Sequence, residues 1–538
     1  MSSVFGRNLK LGMPVIVGIL CAVQTLFLSC FLGVGEWLRW TEPLNPAERA
    51  KLEVCRFIDS RYIDQVEVPS TQGLSMDSLI SLLDPHSAYI GPGELKAVEE
   101  DMRGSFEGIG VEFMLLNDTI FVLHTIVGGP AELAGVRSGD RIVSISDTMV
   151  SGIGIGQERI FRLLRGKSGT TVRIGVQRNS EKHLRQFIIK RGVIPVKSVE
   201  SAYLIAPATG YVRVSRFSEK THSEFIEAIG PLVERQKMRH LILDLRGNPG
   251  GYLHEATNLL SQFFPAGKLL VYTLSRSGAR RTYKSSGRSR FNLDRIVVLI
   301  DEGSASASEI VAGAVQDHDR GWVLGRRSFG KGLVQEQYPL SDGGALRLTI
   351  ARYYTPSGRC IQRTYEGGHR AYEDYHRTLL RSGVLLDSTR YKLSDSTRYF
   401  TGRGRVVYGG GGVMPDLFIP MDSNWMSPYV DEIRSTLSSS VLGWLELHRD
   451  WSGKMTIDQL AREIELPSDL IASVEVPLAS KYTKAERDRC RYLVDNAVKA
   501  FLARHLFGLS GKNQVENYSD EVIARALAII KAGKSVFD

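Results

Sequence analysis

Residues 296–316 read IVVLIDEGSASASEIVAGAVQ. The apolar, mostly β-branched run Ile296–Ile300 suits a strand buried on both faces of a parallel sheet. Gly303-Ser304-Ala305-Ser306-Ala307-Ser308-Glu309 then opens an apolar helix that carries Ile310, Val311 and Ala314. A serine at such a strand-loop-helix junction can stand exposed, with helix N-terminal amides facing developing negative charge. Small neighbours let a second backbone approach. Ser and Ala before a helix also serve simply as a cap and as close packing, so this stretch alone does not decide for chemistry.

The surrounding sequence has the same texture. Val212–Val214, Leu241–Leu245 and Trp322–Leu324 are further short apolar runs, with helical patterns at Thr221–Val233, His254–Gln262 and Ser306–Gln316. Residues 200–420 are therefore expected to form an α/β core, interrupted by a polar, glycine-studded excursion at 364–412. Upstream, residues 98–190 alternate short β-rich runs (Ile109–Leu116, Ile120–Thr125, Arg141–Ser146, Thr171–Gln177, Leu184–Ile189) with glycine turns and one helix, Gln157–Leu164. Residues 45–97 read as amphipathic helices that end at Asp84-Pro85, since proline restricts the residue before it. Residues 425–538 are helical again. The fold class is multidomain α/β with α+β.

A second segment bears on chemistry. Gly325-Arg326-Arg327-Ser328-Phe329-Gly330-Lys331-Gly332 follows the run Trp322–Leu324. A phosphate loop would need Ser or Thr after the lysine and a helix behind it. Gly332 stands there instead, and Leu333–Tyr338 reads as extended, which disfavours a nucleotide site. Burial lowers a lysine's affinity for its proton, and a neutral lysine can take a proton from serine.

The formal charge of +9 over 538 residues is modest, and the densest basic cluster (Arg276, Arg280, Arg281, Lys284, Arg288, Arg290) lies in a Ser/Gly-rich stretch. No nucleic-acid motif accompanies it. The five cysteines form no CxxC, and no His/Cys set completes a metal site around Asp244 or Glu309, which read as capping and local hydrogen-bonding groups. Neither cofactor nor metal is expected. At the N-terminus, Arg7 and Lys10 precede 25 uncharged residues, Leu11 to Gly35. This predicts a cytoplasmic n-region at 1–10 and a transmembrane signal anchor at 11–35, with the remainder outside the cytoplasm. The alternative is a lipoprotein signal with Cys30 as the lipidated residue.

Several motifs in order carry a resemblance: Leu83-Asp84-Pro85-His86-Ser87, Gly108-Ile109-Gly110-Val111, Asp244-Leu245-Arg246-Gly247-Asn248-Pro249-Gly250-Gly251, Gly303–Glu309, Phe329–Gln335, Tyr354–Arg359 and Gly412–Asp416. From about residue 50 to 420 the chain resembles the carboxyl-terminal processing peptidases, the tail-specific serine proteases with a PDZ domain. The resemblance implies Ser306 as nucleophile, at the family's 25-residue separation from Lys331, with Lys331 as general base and Gln335 orienting the lysine. It implies an oxyanion hole from the amides of Gly251 or Gly250 and Ala307. His86 is read as structuring a linker.

Residues 98–190 resemble a PDZ domain, whose amides at Ile109 and Gly110 would receive a peptide's terminal carboxylate as the peptide joins a sheet edge. The expected partners are polypeptides with free, apolar C-termini, together with the membrane through the anchor and an adaptor or lipoprotein; nucleic acid is not among them. The expected place is the bacterial envelope, with the catalytic part in the periplasm. The alternative function is a catalytically silent PDZ scaffold.

Overall fold

The computed structural model describes residues 45–533, apart from 69–73, 179–180, 182, 393–394, 449 and 452–454. A five-strand path, 111–116, 119–125, 141–145, 171–177 and 185–190 in that order, forms an antiparallel sheet with a short extra strand on 141–145. Its edge strand β1 (Val111–Leu116) is followed by β2 (Thr119–Thr125). Helix α1 (Pro92–Arg103) leads into this module and ends on Gly104, whose φ of 68° supplies the left-handed cap. Helix α2 (Gln157–Leu164) buries Ile160 and Leu164 against the sheet.

The central sheet has six strands. Its order is 199–206, 209–214, β3 (His240–Asp244), β4 (Arg295–Ile300), β5 (Trp322–Gly325) and 417–418. Only the first pair is antiparallel, so the inner strands are covered on both faces and read as continuous apolar runs. One face packs on helices 221–234, 253–260 and α3 (Ala307–Asp317). A second, antiparallel sheet joins 88–90, 269–275 and 280–284 with β6 (Leu333–Pro339) and β7 (Ala345–Tyr354). Helix 46–61 lies on this sheet through Ala50, Val54 and Ile58.

The helical part beyond residue 425 has its own core around α4 (Pro428–Leu447) and α5 (Lys484–Tyr518), which is kinked at Gly508. Helix α6 (Glu521–Ala532) goes elsewhere. Its Val522, Ile523, Ala526, Ile529 and Ile530 cover the other face of the central sheet against Ile242, Val297, Leu299 and Leu324.

Two expectations need correction. The stretch 364–412 is not irregular throughout: it holds helices Gly368–Glu373 and Tyr375–Ser382 and the hairpin 398–400/406–408. Gly368 and Gly383 sit at helix ends with φ of 80° and 72°, and so they punctuate the helices without preventing them. The transmembrane assignment is not upheld. Among the described residues no helix is long and apolar enough to cross a membrane; the longest, α5, is interrupted throughout by charged residues. The stretch 11–35 and Cys30 lie outside the described residues.

Candidate active site

Strands β3, β4 and β5 each end in a loop at the same edge of the parallel sheet, where open α/β folds place their ligand sites. These loops carry Asn248–Gly251, Ser304–Ser306 and Ser328–Lys331. A cavity of about 1120 Å³ opens there, lined by Gly250, Gly251, Ser306, Lys331, Gln335, Arg347 and Tyr353 and by the C-terminal turn of α1.

The three serines have different fates. Ser304 is fully buried and its hydroxyl donates to the Leu245 carbonyl at 2.8 Å. Ser308, equally buried, donates to the Asn248 carbonyl at 3.0 Å. They tie the loop after β4 and the first turn of α3 to the loop after β3. Ser306 alone of the three lines the cavity. Its backbone is held at φ 55°, ψ −114°, a region that glycine tolerates and other residues enter only under strain.

That geometry is secured by Glu309, which is fully buried one turn along α3. Its Oε2 accepts from the amides of Ser306 at 2.8 Å and Lys331 at 2.9 Å. Its Oε1 accepts from the Gly330 amide at 2.7 Å and the Ser328 hydroxyl at 2.6 Å. One carboxylate thus clamps the serine loop to the lysine loop, while burial pushes its pKa up to about 7 against the pull of those four donors. From the second sheet, the Tyr353 hydroxyl lies 3.1 Å from the Ser306 carbonyl and 2.6 Å from that of Lys331.

Lys331 Nζ donates to Gln335 Oε1 at 3.0 Å. The amide of Gln335 has its sense fixed from behind, because Nε2 donates to the His86 carbonyl. Burial first, and the Arg347 charge second, bring the lysine down to about 8, opposed by Asp84 and Glu309. The His86 ring is held by the Tyr372 hydroxyl at 2.8 Å, and burial beside Lys331 and Arg363 lowers its pKa to about 3, so it is neutral. His86 therefore does more than shape a linker: its main chain buttresses the residue that holds the lysine.

The glycine turn lies against the serine. A Cβ on Gly250 would stand 2.6 Å from that of Ser306 and 2.9 Å from the Ala307 nitrogen, so only glycine fits. The Gly250 amide, one of the two expected oxyanion donors, is already committed to Asn248 Oδ1 at 2.8 Å. Gly251 is different. Its bridge to Phe217 uses the Gly250 carbonyl and the Tyr252 amide, leaving the Gly251 N–H out of the ladder. Ile109 and Gly110 are not part of this cleft; they lie at the entry to β1, with their carbonyls accepting from Ala131 and Ile126.

Beneath the turn, Asp244 is buried among the Tyr211 hydroxyl, Arg213 and Arg246. Burial works against its charge, yet Arg246 and Arg213 hold its pKa down to about 2. Arg246 also reaches Asp520, the N-cap of α6, at 2.7 Å. Glu309, His86, Tyr353 and Asp520 were missed as site residues in the sequence. Glu309, three residues after Ser306, carried the signal of a cap, and His86 lay in the motif Leu83–Ser87 but was read as structural.

Comparison with known proteins agrees with this geometry. Residues 208–368 match peptidase family S41, and residues 125–178 match a PDZ domain. The chain is 37% identical over 303 residues to the carboxy-terminal-processing protease of Bartonella bacilliformis, covering 55% of this chain and 69% of that one. It is 33% identical over 309 residues to the carboxy-terminal processing protease CtpB of Bacillus subtilis, covering 57% and 64%. With a probable CtpA-like serine protease of Staphylococcus aureus it shares 30% over 381 residues, 70% and 73% of the two chains. A serine loop, a lysine loop and a glycine turn at one edge of a parallel sheet, beside a PDZ domain, thus place this chain in peptidase family S41, among the carboxy-terminal-processing proteases.

Proposed function

We propose that the protein is a serine endopeptidase of the bacterial cell envelope that takes hold of proteins by their free C-terminal tails and cleaves them through an acyl-enzyme. Ser306 is the nucleophile and neutral Lys331 the general base, with Gln335 fixing where the lysine's nitrogen points. The observation that carries this reading is the clamp: Glu309 and Tyr353 tie the main chains of Ser306 and Lys331 together at the rim of one cavity. Lys331 takes the proton from the Ser306 hydroxyl as its oxygen attacks the scissile carbonyl. The oxyanion meets the amides of Gly251 and Ala307. The lysine then hands its proton to the departing amine, and a water activated by the same lysine releases the acyl group. In the PDZ domain, the amides of Ile109 and Gly110 receive the terminal carboxylate while the tail pairs with edge strand β1.

The test is an unfolded reporter ending in a free apolar carboxylate, set beside its amidated twin. Wild type is expected to cut the free form faster. Ser306→Ala and Lys331→Ala should each lower kcat by at least about a thousandfold. Activity surviving either substitution overturns the assignment, and equal cutting of both twins overturns the tail-reading role.

A further inference from the structure

The cleft holds several cations, and most are already paired. Arg103 binds Glu99 at 2.7 Å, Arg213 binds Glu200 and Asp244 at 3.2 Å each, and Arg216 binds Asp101. Arg347 is the exception. It lies on β7, in register between Ala88 and Gln337, and lines the same cavity as Ser306, Lys331 and Gln335. Among the described residues no hydrogen bond, ion pair or ring contact reaches its guanidinium, although the residue is partly buried. None of its nitrogens is both sealed from solvent and unpartnered, so the guanidinium stands open to a ligand in the cavity, while partial burial lowers the group's affinity for its proton. Gln335 Oε1 accepts from Lys331 and Glu336 Oε2 from the Tyr338 hydroxyl, and neither side chain bonds to Arg347.

Resting on the function proposed above, we infer that Arg347 is a carboxylate-binding subsite of the substrate cleft. A planar guanidinium donates two parallel hydrogen bonds to a carboxylate, and Arg347 lines the cavity that Ser306 also lines. The carboxylate has two possible sources, an Asp or Glu side chain of the bound polypeptide or its free chain end.

The experiment uses one cleavable peptide, amidated, with Glu exchanged for Gln at one position at a time, and a neutral version with free and amidated ends. Each pair is measured twice: as kcat/KM with the wild-type chain, and as fluorescence anisotropy on binding to Ser306→Ala. A carboxylate at one position, or at the end, is expected to be favoured about tenfold. The preference should fall to within about twofold in Arg347→Gln, persist in part in Arg347→Lys, and reverse toward a lysine-bearing peptide in Arg347→Glu. Preference at a side-chain position assigns the first source, and preference for the free end that Arg347→Gln abolishes assigns the second. If no pair discriminates in cleavage or binding, or if Arg347→Gln keeps the preference, the subsite is wrong. If the wild type cuts no peptide, the proposed function fails, and the binding arm still decides on Arg347.

Discussion

Lysine in water gives up its proton near pH 10.5, and Lys331 does so near 8. If the neutral form is the base, activity must be low below that value and rise with pH through it. Besides burial, the charges acting on Lys331 are Arg347, which lowers its proton affinity, and Asp84 and Glu309, which raise it; the neighbouring His86 is neutral. Removing one cation should therefore move the rising limb of kcat/KM to higher pH in Arg347→Gln. An unmoved limb would show that Arg347 does not act on the base. Glu309→Gln tests the clamp. A glutamine offers one accepting oxygen where the carboxylate offered two, so an N–H now faces at least one of the amides of Ser306, Gly330 and Lys331. The expected loss is about 2–4 kcal/mol of stability, read by thermal unfolding, with a fall in kcat.

Among the elements, α6 supports the site most indirectly. Removing residues from 520 onward would strip Val522, Ile523, Ile529 and Ile530 from the sheet, at roughly 1.5–3 kcal/mol each. That is comparable to a domain's whole stability of about 5–15 kcal/mol, so the truncated chain should be insoluble. Asp520→Asn is gentler, because asparagine caps a helix as well as aspartate does and only the charge facing Arg246 is lost. We expect roughly tenfold lower kcat with KM and melting temperature nearly unchanged; a shift in KM alone would contradict a supporting role for the Arg246–Asp520 pair.

The elements themselves were largely legible in the sequence. Gln157–Leu164 and Thr171–Gln177 were read with the bounds they have, because periodicity and flanking glycines state them locally. Residues 364–412 were not: Tyr372 is held by His86 and Phe329 from far away in the sequence, Leu379 and Leu385 pack in a small cluster with Tyr391 and Met421, and the glycines of the stretch mimic a loop. The site divides the same way. Ser306, Lys331 and Gln335 sit in recognisable strings, whereas Arg347 reaches the cleft through strand register and Asp520 supports Arg246 from a helix 274 residues further on, which no local pattern announces.

At the scale of the whole molecule, the PDZ domain rests on the C-terminal helices. Leu116, Phe121 and Leu123 pack with Leu442, flanked by Leu445 and Phe501. Arg141 pairs with Glu446, and Glu112 on β1 pairs with Arg504. Leu442→Asp should bury a charge there at a cost of several kcal/mol and release the PDZ domain. Small-angle scattering should report a larger radius, while the protease core unfolds at its usual temperature; an unchanged radius would mean that other contacts hold the domain. A different tension runs through the molecule from a single backbone angle. Ser306 occupies a conformation that suits glycine, and the rest of the fold holds it there. Relaxing it should return about 1–2 kcal/mol, so inactive Ser306→Gly should melt above the wild type and inactive Ser306→Ala should not. The gap between these two dead enzymes measures the durability that the living one forgoes in order to cut.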